Sequence, residues 1–70
     1  MYTKEINGST ASVQKHGDIV IVNFDDRELY FEWYDPLDGT MAAKIFTYLE
    51  TCIGNPENYD ATLIMVHLFS

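Results

Sequence analysis

The stretch that most constrains the fold is residues 18–34, with the sequence DIVIVNFDDRELYFEWY. In its second half, apolar and polar side chains alternate. The apolar set is Leu29, Phe31 and Trp33, and the polar set is Glu28, Tyr30, Glu32 and Tyr34. Side chains of a β-strand point to opposite faces with a period of two, so the apolar set is expected in a core and the polar set outside. Together with the apolar residues 19–24, this pattern predicts a β-hairpin whose outer face is a candidate binding surface.

Three turn signals divide the first half of the chain into four strands. Asn7-Gly8 lies between two moderately apolar segments and predicts a tight hairpin, because both central residues of a type I′ turn need positive φ. Gly17 predicts a second turn, and the acidic pair Asp25-Asp26 with Arg27 predicts a third. Residues 19–24 are apolar on both faces except at Asn23, which is typical of a central strand covered on both sides or nearly so.

A helix is predicted after the fourth strand. Asp35 can cap it, Pro36 suits the first helical position, and Asp38 can bond back from the third, with a start at Asp38 as the alternative because Gly39 weakens the first turn. Apolar residues then recur every three or four positions. They are Ala42, Ile45, Phe46, Leu49, Cys52 and Ile53. Gly54 fits the end of the helix.

The last segment, from Ala61 to Phe69, is apolar on both faces when read with a period of two, and is predicted to be a strand. The chain is therefore predicted to be a single small α+β domain over residues 1–70, with the order ββββαβ and one helix packed on an antiparallel sheet. Such a last strand must either lie inside a broken meander or pair between chains. The second possibility predicts a homodimer formed through Ala61 to Phe69.

The net charge of −7 is concentrated in the second part of the chain. Six acids lie between positions 25 and 38. They are Asp25, Asp26, Glu28, Glu32, Asp35 and Asp38. This distribution argues against direct nucleic-acid binding, which needs Lys and Arg at phosphates, and favours encounter with a basic partner. The alternatives are that the acids only keep a small protein in solution and that Asp25-Asp26 only serves turn chemistry.

No pattern in the sequence indicates catalysis or a cofactor. It contains no glycine-rich phosphate loop and no zinc spacing, and His16, His67 and Cys52 match no metal motif. Glu28 and Glu32 would be about 13 Å apart along a strand, farther than the ~5–9.5 Å between the acids of glycosidases. Cys52 is expected to be a small buried hydrophobe. The single cysteine, the lack of an apolar leader and the lack of a membrane-length apolar run predict a cytoplasmic protein without disulfides.

The sequence therefore predicts a non-enzymatic binding protein that blocks a basic partner, such as a nucleic-acid-binding protein or nuclease, by presenting negative charge where phosphates would lie. The predicted partner-binding residues are Asp25, Asp26, Glu28, Tyr30, Glu32, Tyr34, Asp35 and Asp38. By compositional analogy, this class includes viral counter-defence proteins, such as anti-CRISPR and anti-restriction proteins, and toxin immunity proteins; a virus-encoded example would act in the host cytoplasm. The alternatives are a structural subunit that assembles through its last strand and, third, a small enzyme.

Overall fold

The computed structural model describes residues 1–69, and within them four strands precede two α-helices. The strands are β1 (Tyr2–Ile6), β2 (Ser9–His16), β3 (Ile19–Phe24) and β4 (Arg27–Glu32). The helices are α1 (Gly39–Thr51), a single 3-10 turn (Pro56–Asn58) and α2 (Ala61–Leu68). The strands form one antiparallel sheet in the order β1-β2-β3-β4. The predicted α+β class is confirmed.

Each pair of neighbouring strands is joined by a turn of two residues. Asn7 and Gly8 have φ of 51° and 81°, and Asp25 and Asp26 have φ of 53° and 61°. Positive φ at both central residues is the signature of the type I′ turn, whose twist matches that of the flanking strands. The second turn along the chain, at Gly17, also uses a positive φ, of 61°. The meander is therefore regular, with every strand beside its neighbour in sequence.

The helices cover one face of the sheet, and the core lies between them. The sheet contributes Ile6, Ala11, Val13, Val20, Val22, Phe24 and Phe31, and the helices contribute Met41, Ala42, Ile45, Phe46, Leu49, Ile64 and Leu68. The predicted alternation in β4 is confirmed, although Leu29 and Trp33 are half-buried at the margin of the core. Within residues 1–69 the other face carries no helix, so β3 is a central strand, as predicted, but only one of its faces is covered. Ile21 on that face is half-buried, between its cross-strand neighbours Gln14 and Tyr30.

Helix α1 begins later than Asp35. Asp38 is its N-cap, with extended backbone (φ −124°, ψ 177°) and a side-chain oxygen that accepts the Met41 N–H at 2.9 Å. The prediction that Asp35 caps the helix and that Pro36 is its first residue is wrong, and the alternative start at Asp38 is nearly correct. Beginning at Gly39 leaves Leu37 in the preceding loop, where it packs against the core.

The segment predicted as a fifth strand is helix α2, so the order ββββαβ is wrong at its last element. Asp60 caps α2, because its carboxylate accepts the N–H groups of Thr62 at 2.8 Å and Leu63 at 3.3 Å. Ile64 and Leu68, four residues apart, are its buried residues. The run LIMVHLF is apolar at nearly every position and fits both periods, so the capping Asp60 is the feature that distinguishes helix from strand. The sheet of the described chain has no fifth strand, so the predicted placement of one inside a broken meander is wrong.

Candidate interaction surface

The uncovered face of the sheet, called the open face below, carries acids but neither lysine nor arginine. Its three central cross-strand rows are Ser12, Asn23 and Glu28; Gln14, Ile21 and Tyr30; and His16, Ile19 and Glu32. Glu5 lies on the same face, opposite Thr10 of β2. The period of two places the basic residues of the strands on the helix-covered face. These residues are Lys4, Lys15 and Arg27.

Two of these cations are held by contacts on the helix-covered side. Lys4 Nζ lies 3.1 Å from the Glu50 carboxylate of α1. The Arg27 guanidinium lies 5.0 Å above the ring of Tyr59 and donates to the Pro56 carbonyl at 3.3 Å. These contacts turn the positive charge of the sheet away from the open face. The charges of β-strand side chains are therefore sorted between the two faces.

A Glu-x-Tyr unit occurs twice along β4 and the residues that follow it. The Tyr30 hydroxyl donates to the Glu28 carboxylate, and the Tyr34 hydroxyl donates to Glu32 Oε2 at 2.7 Å. The hydrogen bond to Glu32, and then the negative charge of that carboxylate, raise the pKa of Tyr34 above its ordinary value of 10.0. Both rings are exposed, Tyr30 to 57% and Tyr34 to 72%. The carboxylates and aromatic rings thus form a row of two hydrogen-bonded pairs at the outer edge of the sheet.

The structure brings together only part of the predicted site. Glu28, Tyr30, Glu32 and Tyr34 form the row just described. Asp25 and Asp26 lie in the turn at one end of β4, and Asp35 follows the strand at its other end. Asp38 is committed to capping α1. Among residues 1–69, no cation forms an ion pair with any of these acids.

An apolar depression lies where β4 ends beside α2, and sequence reasoning missed it. It has a volume of about 290 Å³ and is lined by Glu32, Trp33, Tyr34, Asp35, Met65 and Phe69. The ring centroids of Trp33 and Phe69 are 5.4 Å apart, and those of Phe31 and Trp33 are 6.2 Å apart in a T-shaped arrangement. The sequence signal that could have found it is Asp60, because a cap at this position predicts a helix. In a helix, Met65 and Phe69, which are four residues apart, lie on the same side. Trp33 Nε1 is buried here, without a hydrogen-bond partner in the described part of the chain.

The residues considered for metal binding do not form a site. No group of three His, Cys, Asp or Glu side chains in the described structure could hold a metal ion. Cys52 is buried at the end of α1, as expected, and burial raises the pKa of its thiol. The ring of His67 packs against Tyr48 with centroids 5.3 Å apart. An open groove of about 830 Å³ runs beside α1 from Asp38 to Thr47, and His67 also lines it.

Comparisons with protein-family models, with curated proteins and with solved structures find no match to this chain. Within residues 1–69, neither helix has the length and apolar character needed to cross a membrane.

Proposed function

We propose that the protein binds and blocks a basic, nucleic-acid-binding protein through the open face and outer edge of its sheet. The observation that carries the proposal is the sorting of charge: Glu5, Glu28 and Glu32 share the open face, and the strand cations Lys4, Lys15 and Arg27 lie on the other. The biological setting we propose is the neutralisation of a nuclease or similar enzyme, as in viral counter-defence or toxin immunity.

Physical chemistry supports this use of the surface. A cation-free acidic face on a chain of net charge −7 attracts a basic groove and accelerates encounter. Tyr30 and Tyr34 add contact area with few rotatable bonds, which limits the entropy lost on binding. Their hydroxyls already hold the Glu28 and Glu32 carboxylates, so less order has to be imposed when a partner arrives.

The test begins with capture from the fraction of a cell lysate that binds heparin, which enriches nucleic-acid-binding proteins. The captured protein is identified and titrated with the natural chain and with the double variant Glu28→Gln, Glu32→Gln. We expect the double variant to weaken binding at least tenfold, which corresponds to a loss of about 1.4 kcal/mol of binding free energy. We also expect the association rate to fall steeply with salt, and double-stranded DNA to compete.

The matched control is the double variant Glu50→Gln, Glu57→Gln. It removes the same charge from two exposed glutamates on the helix side of the molecule. Equal weakening by both pairs would show a response to net charge only, and the assignment of the site to the sheet would be dropped. Binding that ignores both salt and DNA would contradict the proposed partner class.

A second candidate, self-assembly, is favoured by the outer side of α2. Leu63, Val66 and Phe69 are exposed there, and residues 61–69 contain no Asp, Glu, Lys or Arg. Two copies of a chain with net charge −7 could approach through this uncharged surface. Sedimentation equilibrium at micromolar concentration would show a dimer that Val66→Lys disrupts. A monomer of 8.1 kDa would exclude this assembly role.

A further inference from the structure

We propose that the partner is held by strand addition: an extended basic segment of the partner pairs with the free edge of β4. This proposal rests on the proposed function and specifies how the same surface would bind its partner. Its basis is the position of β4, which is the outermost strand of the sheet and has β3 as its only neighbour within the described chain.

The register decides which backbone groups face the free edge. Phe24 and Arg27 are paired across the two-residue turn, so they form the hydrogen-bonded pair that closes it. Hydrogen-bonded and non-hydrogen-bonded pairs alternate along an antiparallel ladder. Glu28, Tyr30 and Glu32 therefore direct their N–H and C=O groups away from β3. The same residues whose side chains form the acidic row also present unpaired backbone groups at the edge.

The two faces beside this edge define the segment that fits. On the open face, partner residues opposite Glu28 and Glu32 would have Cβ atoms about 4.5–5.5 Å away, a distance that suits Lys or Arg. On the helix face, the depression between Trp33, Met65 and Phe69 offers space for one apolar side chain. Main-chain pairing supplies affinity in this mode, and side chains on alternate faces supply specificity.

The β4 strand of a second copy of the chain is a poor occupant of this edge. Antiparallel pairing of two β4 strands centred on Tyr30 would place Glu28 of each copy opposite Glu32 of the other. Centring the pair on Glu28 or on Glu32 would place that residue opposite itself. Like charges directly opposite one another destabilise a sheet, so the acids disfavour the pairing of two β4 strands but accept a basic strand.

The probe is the blocked peptide SLKVTVKS, designed to run antiparallel to β4. Its lysines would lie opposite Glu32 and Glu28, its threonine opposite Tyr30, and its leucine beside the depression. Binding is followed by NMR on the intact chain, and we expect the amide signals of Glu28, Tyr30 and Glu32 to shift and to become protected from exchange. The peptide SLVKKVTS has the same composition but brings only one lysine to each face, so we expect weaker binding.

Two methylated peptides test the backbone pairing itself. N-methylation of the threonine removes a donor that faces β4 and should weaken binding about tenfold or more. N-methylation of the following valine alters a group that faces away and should change affinity by no more than about twofold. Equal effects of the two methyl groups would overturn strand addition. Protection of the β4 amides without peptide, in a dimeric chain, would overturn it as well, in favour of self-pairing.

A pair of variants extends the test to the captured partner. Tyr30→Pro removes an outward N–H that the sheet does not use, and edge strands tolerate proline. Tyr30→Ala removes the ring but keeps the N–H. We expect the proline variant to bind the partner about tenfold more weakly than the alanine variant. If the two bind equally while Glu28→Gln, Glu32→Gln still weakens binding, strand addition is wrong and the proposed function stands. Should Tyr30→Pro fail to fold, the methylated peptides decide whether strand addition is correct.

Discussion

The Tyr34 hydroxyl donates a 2.7 Å hydrogen bond to the carboxylate of Glu32, two residues earlier in the chain. Because Tyr34 follows the end of β4, this bond extends the ordered acidic row beyond the last paired residue of the sheet. The same relationship links Tyr30 to Glu28. The Glu-x-Tyr spacing therefore connects a sequence pattern to a surface with fixed geometry.

The first prediction follows from that bond. Glu32→Gln replaces a charged acceptor by a neutral one, so the pKa of Tyr34 should fall towards its ordinary value of 10.0, since the carboxylate is the main cause of its rise. NMR titration of the tyrosine ring carbons measures the change. The pKa of Tyr59 serves as the internal control and should remain at about 12. An unchanged pKa of Tyr34 would mean that the bond does not form in solution.

The second prediction concerns Tyr59 and alkaline stability. Its buried hydroxyl lies 2.9 Å from the Arg27 carbonyl and 3.1 Å from the Val22 carbonyl, and one hydrogen can serve only one of them at a time. Burial raises its pKa to about 12, against the opposing charge of Arg27. The native state thus favours protonated Tyr59, so its contribution is complete below pH 10 and is lost as the pH rises towards about 12.

Urea unfolding at several pH values, compared with Tyr59→Phe, measures this contribution. Near neutral pH the variant should be less stable by about 1 kcal/mol, the net contribution of one hydrogen bond. The difference between the two proteins should shrink between pH 10 and about 12. A difference that stays constant over that interval would refute the assigned role of the hydroxyl.

The third prediction separates the capping aspartates from an exposed one. Asp38→Ala and Asp60→Ala should each lower the free energy of unfolding by about 1 kcal/mol, because each removes an acceptor of helix N–H groups. Asp35→Ala changes the same residue type without removing a cap and should stay within about 0.5 kcal/mol of the natural chain. Thermal or urea unfolding gives these values. Similar losses of unfolding free energy in Asp35→Ala and Asp38→Ala would instead support a helix that begins at residue 35.

The fourth prediction distinguishes turn chemistry from partner binding at Asp25 and Asp26. Both have φ in the left-handed region, which is costly for residues with a Cβ. The double variant Asp25→Asn, Asp26→Gly gives this turn the Asn-Gly pair that type I′ geometry prefers, and it should stabilise the protein by on the order of 1 kcal/mol. Urea unfolding measures the gain. If these acids also contact the partner, the stabilised variant should bind it more weakly. Undiminished binding would assign them to the turn only.

Local sequence patterns predicted the sheet well because β2, β3 and β4 each bury one face and each turn has its own chemistry. The alternation from Glu28 to Tyr34 and the Asn7-Gly8 turn were sufficient to locate β4 and the first hairpin. The prediction of a strand at the end of the chain failed for the opposite reason. In residues 61–69 an apolar side chain stands at almost every position, so the spacing of apolar residues does not distinguish a helix from a strand. Only the capping residue Asp60 indicates a helix.

The candidate site was predictable only along the strand. Strand alternation alone places four residues on one face, and it can be read directly from the sequence. These residues are Glu28, Tyr30, Glu32 and Tyr34. The depression beside Trp33 depends on Met65 and Phe69 of a different element, and no local pattern reports the docking of α2 against β4. The separation of strand cations from acids follows from the same alternation, and the register adds which residues lie opposite one another.

The two-residue turns have a kinetic consequence. Every strand pairs with the next one along the chain, so each hairpin can zip from its turn without closing a long loop. Sheets usually fold slowly because distant segments must meet first, but this one has a low contact order for a β-rich protein. Individual hairpins form in about 1–10 μs. Stopped-flow refolding should therefore show a single phase faster than is usual for sheets with distant pairings, and the docking of α1 and α2 would complete the core.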